Sequence, residues 1–337
     1  FGNSEGSDIE RWQGKEIKGM FRKYMRELST DTYADLFAAL EENNILKGMF
    51  IKEIVAAKRI QKQAFIDELF KGTFGDIGIT KEELEREGAN WMEMPFLTSV
   101  RRFVDYKCPD LIVDILYDPA FRERIVKAGA VIFIGGRKFD MFFDIQHNRV
   151  KELYRIDPRM RYHLVFISNH NVATSWLIQQ ATDYGVMLSW QGKEAGPTSI
   201  TNAGQNGAPT LATLDGVIPE RVKPIERGAE GNIIKGTGYI VKYGSERSWT
   251  GDIKPDRESF VNKVEEASED YFNENNYGIL VFNTLRMEMT QGDIDNQAKG
   301  LIKLWAEALE KKESNSKEIS ALINNFVGTL SEENKQK

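Results

Sequence analysis

The spacing at which apolar residues recur changes along this chain, and that change restricts the fold more than any other feature. From Asp8 to about Leu28, the residues Ile9, Trp12, Ile17, Met20, Phe21, Tyr24 and Leu28 return at helical spacing with Lys and Arg between them. Ser29-Thr30-Asp31 supplies capping side chains for a second helix through Leu40. Asn43-Asn44 interrupts it before a third, Ile45 to Phe70, that stops at Gly72. Thr80-Lys-Glu-Glu83 has the form of an N-cap with an acidic first turn. A helical module over residues 1–72 follows.

In the centre the period shortens. Ala130–Ile134, the pair Gly135-Gly136, and Arg137–Ile145 predict a strand, a glycine turn and a second strand, because paired glycines accept the positive φ of a tight turn. Tyr162–Ile167, Asn171–Tyr184 and Val186–Trp190 read as strand, helix and strand, a βαβ-like unit. Residues 191–216 show neither period over roughly twenty positions, which is long for a compact domain. Their Gly, Asn and Thr content predicts an extended arm ordered by another subunit. Val217–Ile225 and Ile233–Tyr243 predict a second hairpin. A helix is expected from Pro255-Asp256 to about Phe272, a strand over Tyr277–Leu285, a helix over Asp293–Lys312 and a short one near Ile319–Leu330. The fold class expected is therefore α+β (mixed), with a helical part at 1–72, a mixed centre at 73–290 holding two hairpins and the long loop, and a helical tail at 291–337.

Composition excludes several classes. The 337 residues are 41% hydrophobic and 28% charged, enough to fill a core and cover it. The net charge of −6 argues against a polyanion as partner, so no sequence-specific nucleic-acid binding is expected. With Cys108 as the one cysteine, an intrachain disulfide is impossible and a reducing compartment is expected. The longest apolar runs, such as Ala130–Ile134, fall far below the roughly 20 residues of a membrane helix. The chain opens at Phe1, which reads as processing or as numbering from within a longer product.

Chemistry-bearing patterns are sparse. His147, His163 and His170 have no HExxH or Cys/His spacing, so no metal site is expected. Ser168 or Ser175 with His170 and Asp183 lacks a nucleophile elbow. Gly135-Gly136 and Gly236-Thr-Gly238 lie between or within strand-like runs, where they serve as a turn and a bulge rather than a phosphate loop. Trp91, beside Met92 and Met94, is expected in a core or interface. Asp105-Tyr-Lys107 before Pro109-Asp110 reverses the order that two-metal nucleases use, and Asp252-Ile-Lys254 sits in a loop-like context. Asp140, Asp144 and Glu152 are the better carboxylates for holding Mg²⁺.

These features point to a non-enzymatic structural subunit of a repeating assembly, such as a viral or bacteriophage particle component (shell, neck or tail). Its partners are other protein subunits, and it has no catalytic residues, no metal and no cofactor. On that reading it is expected inside the cell, in the cytoplasm, during synthesis and, as a particle component, in the virion afterwards. The alternative is an intracellular Mg-dependent nuclease or related phosphoryl-transfer enzyme acting through Asp140, Asp144 and Glu152.

Overall fold

A computed structural model describes residues 8–136, 141–196, 198–291, 298 and 301–305. The chain opens with helices α1 (Ile9–Trp12), α2 (Lys15–Glu27), α3 (Tyr33–Glu42), α4 (Asn44–Phe70) and α5 (Lys81–Arg86). Asn43 caps α4 through its side-chain oxygen, and Thr80 and Glu83 form a reciprocal capping box on α5. Strands and helices then alternate: β1 (Phe96–Val100), α6 (Leu111–Tyr117), α7 (Pro119–Lys127), β2 (Val131–Gly135), α8 (Met141–Ile156), α9 (Met160–His163) and β3 (Leu164–Ile167). Next come α10 (Val172–Ala181), β4 (Tyr184–Met187), α11 (Thr198–Gly204), β5 (Thr210–Thr213) and α12 (Ile218–Arg221). The small strands β6 (Glu226–Arg227) and β7 (Ile233–Lys235) precede β8 (Gly238–Val241), β9 (Tyr243–Arg247) and β10 (Ile253–Pro255). Helices α13 (Arg257–Phe272) and α14 (Glu274–Gln291) follow.

Six strands make one parallel sheet in the order β3-β2-β1-β4-β5-β8, and two antiparallel pairs, β9 with β10 and β6 with β7, stand beside it. The fold is thus mixed helix and strand, as expected. The chain winds outward from β1 to β3, crosses through α10 to the other side of β1, and winds outward again, so the order reverses between β1 and β4.

Both faces of the sheet are buried, as a parallel sheet requires. Leu97, Ile132, Ile134, Leu164, Phe166, Val186, Leu211 and Tyr239 share one core with α6, α8, α13 and α14. The alternate residues Phe96, Val131, Phe133, Val165 and Ile167 face the end of α4 and α10. There Phe133 sits 4.7 Å from the Phe96 ring and 5.4 Å from Phe65, and each such burial is worth about 1.5–3 kcal/mol. Helices α2, α3 and α4 join the first core through α14, where Phe37 and Phe282 meet at 5.4 Å. Among the described residues, no helix is long and apolar enough to cross a membrane.

Several local expectations are corrected. The hairpin over 130–145 does not form: β2 is a central parallel strand, and the chain from Met141 is helical, with Phe143, Val150 and Leu153 buried along one side. The glycines mark crowding instead of a turn, since a Cβ at Gly136 would lie 1.8 Å from the Arg101 carbonyl oxygen. Val217–Ile225 and Ile233–Tyr243 do not form one long hairpin. The first run holds α12, only β6 and β7 pair, and β8 joins the main sheet. Tyr277–Leu285 lies inside α14. The tail helices expected over 293–312 and 319–330 fall mostly or wholly outside the described residues.

The segment 191–216 is no arm either. It contains α11 and β5, and β5 pairs with β4 and β8 of its own sheet. Asn206 is fully buried: its Oδ1 accepts from Gly14 N at 2.8 Å, and its Nδ2 donates to Trp12 O and Asn202 O, both at 2.9 Å. Gln13 Nε2 donates to Gln205 O at 2.8 Å. Small polar residues let backbone pack on backbone here, so order comes from hydrogen bonds within the chain.

Glu288 on α14 closes the other side of this segment, paired with Arg221 at 2.6 Å and packed against Gly204. Burial, partly offset by Arg221, pushes the Glu288 carboxyl up to about 7 from its ordinary 4.5. A carboxyl raised on folding stabilises the fold fully below about pH 4.5, and that contribution is lost as pH rises through about 7. Glu288→Gln is expected to flatten this part of the stability curve. Urea midpoints at pH 4.5 and 8 check it, and an equal change in both chains would refute the assignment.

Candidate functional site

In an open parallel sheet the loops leaving the strand ends part where the strand order reverses, and a crevice opens there. In this chain the crevice lies beyond the carboxyl ends of β1 and β4. Arg101 directly follows β1, and its N–H donates to Gly135 O at 2.9 Å, prolonging the strand register. The chain then enters a 3₁₀ turn, Asp105–Lys107, closed by Cys108 at φ 47°. From the β4 side, Trp190 N donates to Tyr106 O at 2.8 Å, which ties the two loops together.

Arg101, Lys107 and Glu194 converge between these loops, each 8% exposed. Lys107 Nζ donates to Glu194 Oε2 at 2.6 Å, and Arg101 Nη2 donates to the same oxygen. Arg101 Nη1 reaches Leu188 O at 3.3 Å, while its Nε is buried with no hydrogen-bond partner. Burial lowers the Arg101 guanidinium from its usual range, against the pull of Glu194. Burial and then the neighbouring Arg101 charge lower the Lys107 ammonium.

Asp215, just past β5, fixes the position of Glu194. Its Oδ2 accepts from Glu194 N at 2.9 Å, Lys193 N at 3.0 Å and Ser189 Oγ at 3.1 Å, and its Oδ1 accepts from Gly216 N at 2.9 Å. That carboxylate is engaged by neutral donors, so two buried cations share Glu194. Lys107 uses one of its three N–H groups on Glu194 and Arg101 keeps an unpaired Nε–H. Arg101 and Lys107 thus bring cationic N–H groups, the kind of donor that a small anion such as phosphate takes, to the carboxyl ends of β1 and β4.

A stretch of this chain is similar to glycogen phosphorylase of Haemophilus influenzae. The two are 39% identical over 88 residues, which is 26% of this chain and 10% of that protein. The similarity therefore spans about a tenth of the relative's length. No family model matches the chain.

The residues singled out from sequence lie elsewhere. Asp140 is outside the described residues. Asp144 and Glu152 are on α8, not on a strand face, about 12 Å apart along the helix axis by its rise. His147 stacks on Phe166 at 4.5 Å between ring centroids, and His163 Nδ1 lies 2.8 Å from Ala130 O. Burial lowers both His163 and His170. Among the described residues, no three His, Cys, Asp or Glu side chains are grouped to hold a metal. Asp183 pairs with Lys62, not with a histidine. Trp91 is buried, with its indole N–H on Tyr162 O at 3.0 Å. A larger cavity, about 710 Å³ between α3, α14 and the start of β8, pairs Arg286 with Glu41 and Lys235 with Glu226 among its lining charges and also carries Lys223, whose Nζ donates to Pro219 O.

Sequence reasoning missed Arg101 and Glu194, which are 93 residues apart in the chain. The available signal was the pair Arg101-Arg102 standing at the end of the run Phe96–Val100.

Proposed function

We propose that this chain is a doubly wound domain that binds phosphate or a phosphorylated sugar, and that it takes part in transfer of a glycosyl group between a glucan and phosphate. The observation that carries the reading is the pair of buried cations, Arg101 and Lys107, sharing Glu194 at the strand-order reversal. An anion that reaches these two cations would accept charge-assisted hydrogen bonds from them. The similarity to glycogen phosphorylase, whose name denotes phosphate-dependent cleavage of glycogen, supports the choice of phosphate and of a glucan.

Calorimetric titration with inorganic phosphate and glucose 1-phosphate tests it. Binding to the wild-type chain is expected, weakened at least roughly tenfold in Lys107→Met, since a hydrogen bond to a charged group contributes about 1.5–3 kcal/mol. Glucose 1-phosphate release from glycogen and phosphate tests the transfer. No binding of either anion would overturn the reading.

A subunit of a repeating assembly is kept as a second reading on one observation. Val172 and Trp176, one turn apart on α10, expose apolar surface at 66% and 39%. Light scattering tests it: a discrete higher oligomer lost in Trp176→Ser supports it, and a monomer removes it.

A further inference from the structure

The loops that carry the paired cations also build the wall of a second space. Trp249, at the end of the β9–β10 hairpin, is 82% exposed, yet the turn that holds it is fixed. Thr250 N and Asp252 N donate to Ser248 Oγ at 3.2 and 3.0 Å, and Ser248 N donates to Asp252 O at 2.8 Å. The indole Nε1 donates to Asp105 Oδ2 at 3.3 Å, which orients the ring. Beside it lies a cavity of about 440 Å³ that is also lined by Tyr106, Trp190, Lys193 and Asp252.

This cavity adjoins the anion crevice on both walls. Asp105 and Tyr106 directly precede Lys107, whose Nζ stands 5.1 Å from the Tyr106 ring centroid. Trp190 and Lys193 lead into Glu194 on the opposite loop. The chemistry of the two spaces differs. Lys193 is paired with Asp252 at 3.3 Å, so the outer cavity offers carboxylates and flat aromatic surface instead of unpaired cations. Carboxylate oxygens accept hydrogen bonds and repel anions. The complementary ligand is neutral, has an apolar face to lie on an indole, and carries hydroxyl donors around its rim.

We propose that this cavity is a subsite for a pyranose ring of a neutral glucan, with its C–H face on Trp249 and its hydroxyls donating to Asp105 and Asp252. The proposal rests on the glucan reading given above, and names the residue that selects the sugar. Trp249 holds the ring in place next to the phosphate crevice, so that one ligand chain spans a neutral and an anionic subsite.

The test is calorimetric titration with maltoheptaose, a neutral α-glucan, into the wild-type chain, Trp249→Ala and Trp249→Phe. The wild-type chain is expected to bind it. Trp249→Ala is expected to weaken binding about tenfold, and Trp249→Phe, which keeps a flat ring, substantially less. Equal melting temperatures for the three chains are expected from the exposure of the side chain. Absence of maltoheptaose binding to the wild-type chain, or unchanged affinity in Trp249→Ala, overturns the proposal. So does binding of a nucleoside such as adenosine in its place, with maltoheptaose silent. Phosphate titrated into the wild-type chain is a separate arm. If phosphate binds and maltoheptaose does not, the subsite fails alone; if neither binds, the functional reading fails with it.

Discussion

Asp183→Ala is expected to destabilise the fold by about 3–5 kcal/mol, the range for removing one partner of a buried ion pair. Asp183 sits at the amino end of β4 and accepts from Lys62 Nζ at 2.6 Å, Tyr277 OH at 2.7 Å and Phe96 N at 3.0 Å. It therefore binds α4 and α14 to the amino ends of the two central strands, β1 and β4, opposite the crevice. Without it the Lys62 ammonium, already lowered by burial, faces the Phe96 ring at 4.0 Å with no carboxylate. A lysine lowered on folding weakens the fold while it must stay charged, so the variant regains stability as pH rises toward the ordinary lysine value. Asp183→Leu combined with Lys62→Met should recover part of the loss, because no unpaired charge is left buried. Urea denaturation measures all three, and a loss below about 1 kcal/mol in the single variant would contradict the argument.

Glu194→Gln should lower stability by about 3 kcal/mol for the same reason, since it leaves Arg101 and Lys107 facing each other with no shared carboxylate. Here the loss has a distinctive remedy. An anion that binds only the folded state raises its stability by mass action, so phosphate should raise the melting temperature of Glu194→Gln more than that of the wild-type chain. Chloride at equal ionic strength is the control, and adding Lys107→Met should shrink the difference. Equal responses to phosphate and chloride would show that the crevice attracts anions only by diffuse charge.

How far the sequence foretold this depended on whether the interactions were local. Amphipathic helices and their caps, set by residues three or four apart, were legible at α2, α4, α5 and α10. Of the parallel sheet only part was: β2, β3 and β4 fall in or beside runs read as strands, with β3, α10 and β4 as the βαβ-like unit, whereas β1 and β5 were not read. β5 is Thr-Leu-Ala-Thr, buried on both sides, with neither alternation nor bulk to mark it, and its partners lie outside any local window. No periodicity marks β1, where Thr98 and Ser99 stand at the centre. The glycines at 135 and 136 looked like a turn because a glycine that tolerates positive φ and one that admits a neighbouring backbone are spelled alike. The crevice was hidden for the same reason as the sheet: Arg101 and Glu194 meet only after the strands have been laid side by side.

The stitching of the amino-terminal helices to Gln205 and Asn206 also sets a timetable. Gln13 and Gly14 bond to residues 192 positions later, and Lys58 donates to Asn206 O across 148. At ribosomal speeds of roughly 5–20 residues per second, the anchor for the first helices appears roughly 10–40 s after they do. Through that interval Phe37 and Phe50, buried in the finished protein, also lack the Phe282 ring that packs against both. A nascent chain of this design has to keep its helices over 9–70 from sticking to one another or to other chains until residues 205 and 206 emerge, so holdase chaperones would act on those helices.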